Sequence, residues 1–294
     1  MLFRDRGLPI FYADAQRDRV SWISTPHAPS PPPAPLANRV TLKPFFESYL
    51  GEVRALTPLR AQVARDRLAL CDELAAHPAR YERALRALNF LASSARGALV
   101  SEPLSRAQLD DEVLMGLLQR IERDGFARRQ HGALRFASEA DRFFLNGGWL
   151  EELVHECLRE VRALKPSIQD CARSVEVLWR RGGQEVMNEL DVAFLANNQL
   201  FLVECKTKTF EHAARPGREA DGAAEVLYKL DALQEMLGGV RCHALFVSYH
   251  DLRWADLQRA RSMRVSVCAG EGLRRLRQAL LTWVPAPNDP APPR

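Results

Sequence analysis

The chain has 294 residues, 47% of them hydrophobic, a formal charge of +4 and a pI near 8.8. That length holds two domains or one large one, and so mild a basic balance is compatible with nucleic acid without arguing for it. No apolar run has the length of a membrane span, Met1-Leu2-Phe3-Arg4-Asp5-Arg6 lacks a signal-peptide core, and six scattered cysteines without a CxxC pair speak against zinc or disulfide frameworks, so a cytoplasmic chain with reduced thiols and no membrane partner is expected.

Leu8–Ala13 and Val20–Ile23 read as two short strands around Asp14-Ala15-Gln16-Arg17-Asp18, a hairpin-like fragment. Pro29 to Pro35 follows as an extended, semi-rigid segment that can be neither helix nor central strand. Residues from about 43 to 95 read as helical, with a break near Pro78. Ser105 caps a helix carrying Leu109, Val113, Leu117, Leu118 and Ile121 on one face. After Asp124-Gly125, two short strands, Phe126–Arg129 and Ala133–Phe136, flank a turn at His131-Gly132. Helices followed by a small hairpin suggest a winged helix. Its long helix starts Asp110-Asp111-Glu112, which would repel a phosphate backbone, and only Arg128, Arg129 and Arg135 offer basic contacts, so a structural or dimer-bridging spacer is favoured over a sequence reader.

Residues 149–164 read as an amphipathic helix with Trp149, Leu150, Leu153, Val154, Cys157, Leu158, Val161 and Leu164 on one face. At 100° per residue Glu151 falls on the border of that face and Glu152 points to solvent. A strand around Val175–Trp179 leads to Asn188-Glu189-Leu190-Asp191-Val192-Ala193-Phe194-Leu195, a turn at Ala196-Asn197-Asn198-Gln199, and a strand from Leu200 to Lys206. Then come a helix at about 219–237 ended by Gly238-Gly239, a strand at Cys242–Ser248, a further helix, a strand at Arg264–Cys268, and a helix from Glu271 to Trp283. The tail from Pro285 to Arg294 is Pro-rich and reads as disordered.

The chemistry concentrates on the hairpin. Alternation puts Glu189 and Asp191 on one face of the first strand, and Glu204 and Lys206 on one face of the second, with Cys205 opposite. Pairing brings Asp191 beside Glu204. Asp191, Glu204 and the Cys205 carbonyl are hard oxygen ligands suited to Mg²⁺ or Mn²⁺, and Lys206 would stabilise charge on a phosphate or help activate a water. The bland alternative is a surface hairpin with solvated charges, or a buried structural Glu–Lys pair. The first fails because Phe201-Leu202-Val203 reads as buried on both faces, and the second leaves Asp191 unexplained. Glu151 could reach such a site as a further ligand or serve only the helix dipole. Gln234 sits within the apolar face of its helix, as a substrate contact or a core amide, while Lys208, Lys229 and Glu189 are weaker candidates beside the substrate. No Walker loop, GxGxxG, GxSxG elbow, HxxxH or HxH pair is present.

At Asp191, Glu204 and Lys206 the chain resembles the PD-(D/E)xK nuclease superfamily, whose core order is α-β-β-β-α-β. More narrowly, Gly148-Trp149-Leu150-Glu151-Glu152-Leu153-Val154, Asn188-Glu189-Leu190-Asp191-Val192 and Glu204-Cys205-Lys206-Thr207 resemble the nuclease half of the CRISPR-associated CARF–nuclease proteins. The resemblance implies an α/β restriction-endonuclease-like domain, a homodimer, an acid on the first helix, divalent-metal-dependent cleavage of DNA or RNA, and activation by a cyclic oligoadenylate. It implies four segments: residues 1–42 as the hairpin and linker left of a CARF domain, 43–145 as a helical and winged-helix-like spacer, 146–285 as the nuclease domain, and 286–294 as the tail. Residues 1–42 are too few for a Rossmann-like sensor, which needs more than about a hundred. The sensor therefore reads as truncated, and no residue is assigned to cyclic-oligoadenylate binding. Two other functions stay open: a catalytically silent nucleic-acid-binding or dimerisation module, and a restriction or repair nuclease without a CRISPR role.

Overall fold

A computed structural model describes residues 10–14, 19–24, 32–35, 39–59, 63–181, 183–209, 222–238 and 241–286. The expected strand start at Leu8, the turn at Ala15–Asp18, Pro29 to Pro31, the helix start at 219–221, Gly239 and the tail beyond Ala286 lie outside these residues.

The centre is a six-stranded mixed sheet built from β4 (Gly51–Pro58), β7 (Ile168–Arg181), β8 (Gln184–Ala196), β9 (Gln199–Lys206), β10 (Cys242–Ser248) and β11 (Val265–Ala269). The spatial order is β11-β10-β9-β8-β7-β4, with β9, β10 and β11 parallel and β4, β7, β8 and β9 antiparallel. The β8–β9 connection is the two-residue turn expected: Asn197 and Asn198 take φ of +47° and +55°, which Asn tolerates and a type I′ turn demands. β9 is buried from Gln199 to Cys205, as the apolar run Leu200–Val203 requires, and only Lys206 at its end is partly exposed.

Helices cover both faces. On one lie α7 (Trp149–Leu164) and α10 (Leu276–Trp283), joined in one core to α2 (Arg65–Ala76), α3 (Pro78–Ser94) and α5 (Glu112–Arg123). On the other lie α8 (Ala223–Met236), α9 (Trp254–Ser262) and α1 (Leu42–Ser48). Each buried Leu or Phe contributes roughly 1.5–3 kcal/mol, so these two cores dominate the sheet's stability. From α7 to β10 the element order is α-β-β-β-α-β. An N-terminal hairpin, β1 (Ile10–Asp14) and β2 (Arg19–Ser24), has Ala34–Pro35 (β3) on its edge, where proline is tolerated. All six cysteines are buried and unpaired, and burial raises every thiol pKa, Cys268 to about 11 and Cys157 to about 12. Among the described residues no helix is long and apolar enough to cross a membrane.

Several expectations are overturned. The helical run over 43–95 is interrupted by β4, which pairs with β7 at the sheet's edge. Gly51 permits that pairing, since a Cβ there would press on Val177 and Trp179, and the largely exposed strand carries no core pattern that sequence periodicity could detect. Residues 42–58 therefore pack on the main sheet rather than with α2 and α3. The helix expected from Ser105 is two: α4 (Arg106–Leu109), with Ser105 and Gln108 forming a capping box, and α5, capped anew by Asp111, whose carboxylate accepts from Val113 and Leu114 N–H at 3.1 and 3.0 Å. Leu109 and Leu164, both assigned to apolar faces, are exposed at helix ends. The helix expected from Glu271 begins as a 3₁₀ turn, Gly270–Arg275, before α10. The short hairpin β5 (Ala127–Gln130) and β6 (Ala133–Phe136) turns at His131 and Gly132, both at positive φ, and its Arg129 is neutralised by Glu122 at 2.6 Å.

Candidate active site

The carboxylates meet where β9 ends and β8 runs on. Val192 pairs with Val203, which sets Asp191 beside Glu204. Leu190 packs in the core on the α8 side while Val192 packs in that on the α7 side, so the strand's alternation slips at Asp191. The partner strand slips at the same level, where Ser174 has a φ of +49°. Asp191 Oδ2 accepts the Cys205 backbone N–H at 2.7 Å, and Lys206 Nζ stands 3.9 Å away. Lys206 also donates to Glu204 Oε1 at 2.7 Å. Lys229, from α8, closes the group: its Nζ lies 2.8 Å from Glu204 Oε2 and donates to the Glu189 carbonyl at 3.1 Å.

Glu151 enters from α7, buried, with Oε2 lacking a hydrogen-bond partner among the described residues. Burial, then the charge of Asp191, then that of Glu189, drive its pKa well above the carboxylate range. Asp191 is raised for the same reasons, burial first and Glu204 second, with Lys206 and the Cys205 N–H partly offsetting. Burial opposes the charge on Lys206, but Asp191 and Glu204 overcome it and raise its pKa, so the ammonium stays protonated.

Of the residues expected at a site, Asp191, Glu204 and Lys206 come together, Cys205 joins through its main chain, and Glu151 stands near enough for the charges of Asp191 and Lys206 to act on it. Glu189 is exposed on β8 but close enough for its charge to act on Glu151. Lys208 is exposed just beyond β9. Gln234 is not at the site: it is buried and donates to the Cys242 carbonyl at 3.2 Å, a core amide at the far end of β10. Glu152 does not point to solvent. It is 4% exposed and pairs with Arg67 of α2 at 2.7 Å and Arg173 of β7 at 3.6 Å. A second helical layer covers the side of α7 that would otherwise be solvated, and helical periodicity carries no sign of that layer. Lys229 is the α8 residue that faces the carboxylates. As a lone lysine in sequence it had nothing to single it out beyond a possible phosphate contact.

The donor set is all oxygen on the carboxylate side, all three acids are buried, and Asp191 is repelled by the charges of Glu151 and Glu204. That chemistry fits a hard divalent cation, which would relieve both penalties. Among the described residues no three acidic, His or Cys side chains converge as a ligand set, and Glu204 is engaged by Lys206 and Lys229.

The fold is shared with solved proteins. Protein VC1899 from Vibrio cholerae superposes with a TM-score of 0.80 at 29% identity, covering 96% of this chain and 70% of that one. Can2 from Sulfobacillus thermosulfidooxidans, solved in complex with cyclic tetra-adenylate, superposes with a TM-score of 0.73 at 24% identity, covering 97% of this chain and 71% of its own. None of the curated proteins matches the chain. The model of the Card1-like endonuclease domain matches residues 137–286, which hold α7, the hairpin and Lys229. That stretch is just over half of the chain, which therefore belongs to the Card1-like endonuclease domain family.

Proposed function

We propose that this chain is a divalent-metal-dependent endonuclease of the PD-(D/E)xK type that hydrolyses phosphodiester bonds of DNA or RNA in CRISPR-linked antiviral defence. The observation that carries the assignment is Lys206, held 2.7 Å from Glu204 and 3.9 Å from Asp191 at the end of one strand, with Glu151 buried on α7 where the charge of Asp191 acts on it. The α-β-β-β-α-β order supports the superfamily, and α2 to α5 with the β5–β6 hairpin are taken as a winged-helix-like spacer, residues 42–58 belonging to the main sheet instead. The CRISPR context and a homodimer are inferred from the resemblance of the motifs around Glu151, Asp191 and Lys206 to the CARF–nuclease proteins. No described residue of this chain is assigned to cyclic oligoadenylate.

Asp191, Glu204, Glu151 and the Cys205 carbonyl would hold Mg²⁺ or Mn²⁺. Bound there, the cation would supply Lewis-acid polarisation of the scissile phosphate and a water of lowered pKa. Lys206 acts as a fixed positive charge rather than a base, because its two carboxylate neighbours keep it protonated. It stabilises the charge that develops on the phosphate oxygens. The Cys205 N–H fixes one oxygen of Asp191 and so orients the carboxylate. Lys229 and Lys208 offer contacts to flanking phosphates, and Glu189 borders their path.

Purified protein is incubated with single- and double-stranded DNA and RNA plus Mn²⁺ or Mg²⁺, beside Asp191→Ala and Lys206→Ala. Cleavage by the wild type should fall at least about 100-fold in each variant. Equal inertness of all three on every substrate and metal would refute the enzyme assignment for this chain on its own.

A further inference from the structure

Two buried polar grips flank the site, each on the residue next to a proposed catalytic group. Glu152 directly follows Glu151. Its Oε1 accepts Nη1 of Arg67 at 2.7 Å, while Nη2 of the same guanidinium bonds Asp141 at 2.7 Å. The guanidinium also sits over the Phe144 ring, 4.6 Å from its centroid. One side chain of α2 thus touches the short helix α6 (Glu139–Phe143), the turn that follows it and the first turn of α7 itself. Thr207 directly follows Lys206. Its carbonyl accepts Nδ2 of Asn89, from the middle of α3, at 3.2 Å, and that amide also reaches Thr207 Oγ1 at 3.4 Å. His250 Nε2 bonds the same carbonyl at 3.2 Å.

Packing alone does not call for these groups. Asn89 is 5% exposed within an otherwise apolar helix face, and its Oδ1 has no partner among the described residues. A buried amide or ion pair is often no more stabilising than apolar residues of the same volume, but it fixes direction and distance. Here the directions fixed are those of the α7 first turn and the β9 terminus, which carry Glu151 and Lys206.

We propose that Arg67 and Asn89 are positioning residues: through Glu152 and Thr207 they set the spacing between Glu151 and Lys206, so that α2 and α3 hold the two arms of the site in cutting register. The inference rests on the assignment of Glu151 and Lys206 as site residues. Neither Arg67 nor Asn89 touches substrate in this scheme.

The test uses the full chain as wild type, Arg67→Met, Arg67→Lys and Asn89→Leu, with kcat and KM for Mn²⁺-dependent cleavage measured at a temperature where thermal melts show each variant folded. Small misplacements of catalytic groups are costly, so kcat should fall at least about tenfold in Arg67→Met and Asn89→Leu. KM should stay within about twofold, because substrate contacts are untouched. Arg67→Lys, which keeps the charge but reaches only one of the two carboxylates, should recover part of the loss. Folded Arg67→Met and Asn89→Leu with wild-type kcat, or Arg67→Lys no better than Arg67→Met, would overturn the proposal. If Arg67→Met does not fold, Arg67→Lys decides, and kcat equal to wild type overturns it. A wild type that neither cleaves nor binds Mn²⁺ by calorimetry overturns the site assignment and this inference with it, whereas an active wild type with unaffected variants overturns this inference alone.

Discussion

Glu204 is held by two ammonium groups, Lys206 at 2.7 Å and Lys229 at 2.8 Å, so a divalent cation drawn to it must compete with both. Removing Lys229 should therefore tighten metal binding. Two unit charges at this separation attract by about 6 kcal/mol at an effective dielectric near 20, and by about 1.5 kcal/mol in water. The Lys229 side chain is 35% exposed, so screening takes most of the larger figure, and Lys206 remains as a second competitor. A net gain of about 1–2 kcal/mol is expected for Lys229→Gln, which retains a donor for the Glu189 carbonyl. That corresponds to a Kd for Mn²⁺ lower by about 5- to 30-fold. Calorimetric titration of Mn²⁺ into wild type and Lys229→Gln measures it, with Glu204→Gln as the control that should lose binding. An unchanged or weaker affinity in Lys229→Gln would show that Lys229 does not compete for Glu204, and the competition argument would fall.

His155 on α7 is fully buried, both ring nitrogens lack partners among the described residues, and burial, helped by Arg173, lowers its pKa to about 4. Because the folded-state pKa is depressed, the unfolded chain takes up the proton first, and stability falls by about 3 kcal/mol as pH drops from about 6.5 toward 4. Urea unfolding at pH 7.5 and pH 4.5 should show that loss in wild type and a flatter profile in His155→Leu; parallel profiles would refute it. Gly147, at φ +116°, lies where a Cβ would collide with Thr207 Oγ1, so Gly147→Ala should cost at least about 2 kcal/mol, read as a lower melting temperature, and an unchanged melt would contradict the close approach. Gln234→Leu removes a core amide remote from the carboxylates: cleavage should stay at the wild-type rate and stability should move by about 1 kcal/mol, and a large drop in kcat would return Gln234 to the site.

The site was legible in sequence because its grammar is local. The Asn197-Asn198 turn and the β8–β9 register it fixes bring Asp191 beside Glu204 and Lys206, although the alternation expected to put Glu189 and Asp191 on one face slips at Asp191, and the border position of Glu151 on its helix agrees with its burial. What escaped is what depends on neighbours far along the chain. Glu152 looked solvated because nothing in the helix itself announces that Arg67, 85 residues earlier, will cover it. β4 looked helical because an exposed edge strand has little apolar alternation, and its pairing with β7 is a fact about the sheet rather than about residues 51–58. Gln234 was placed by helical phase alone, which gives the angle around an axis but not the distance along it, and it lies five residues beyond the Lys229 that reaches Glu204.

The six cysteines have a practical consequence. All are buried with raised thiol pKa values, so at neutral pH they offer almost no thiolate to an alkylating reagent. A cysteine introduced at an exposed position such as Leu164 or Val186 would react alone, without prior removal of the native thiols. Fluorophores or spin labels could then be attached to the native-sequence core, and movement of one part of the chain against another followed while every side chain around the carboxylates stays as it is.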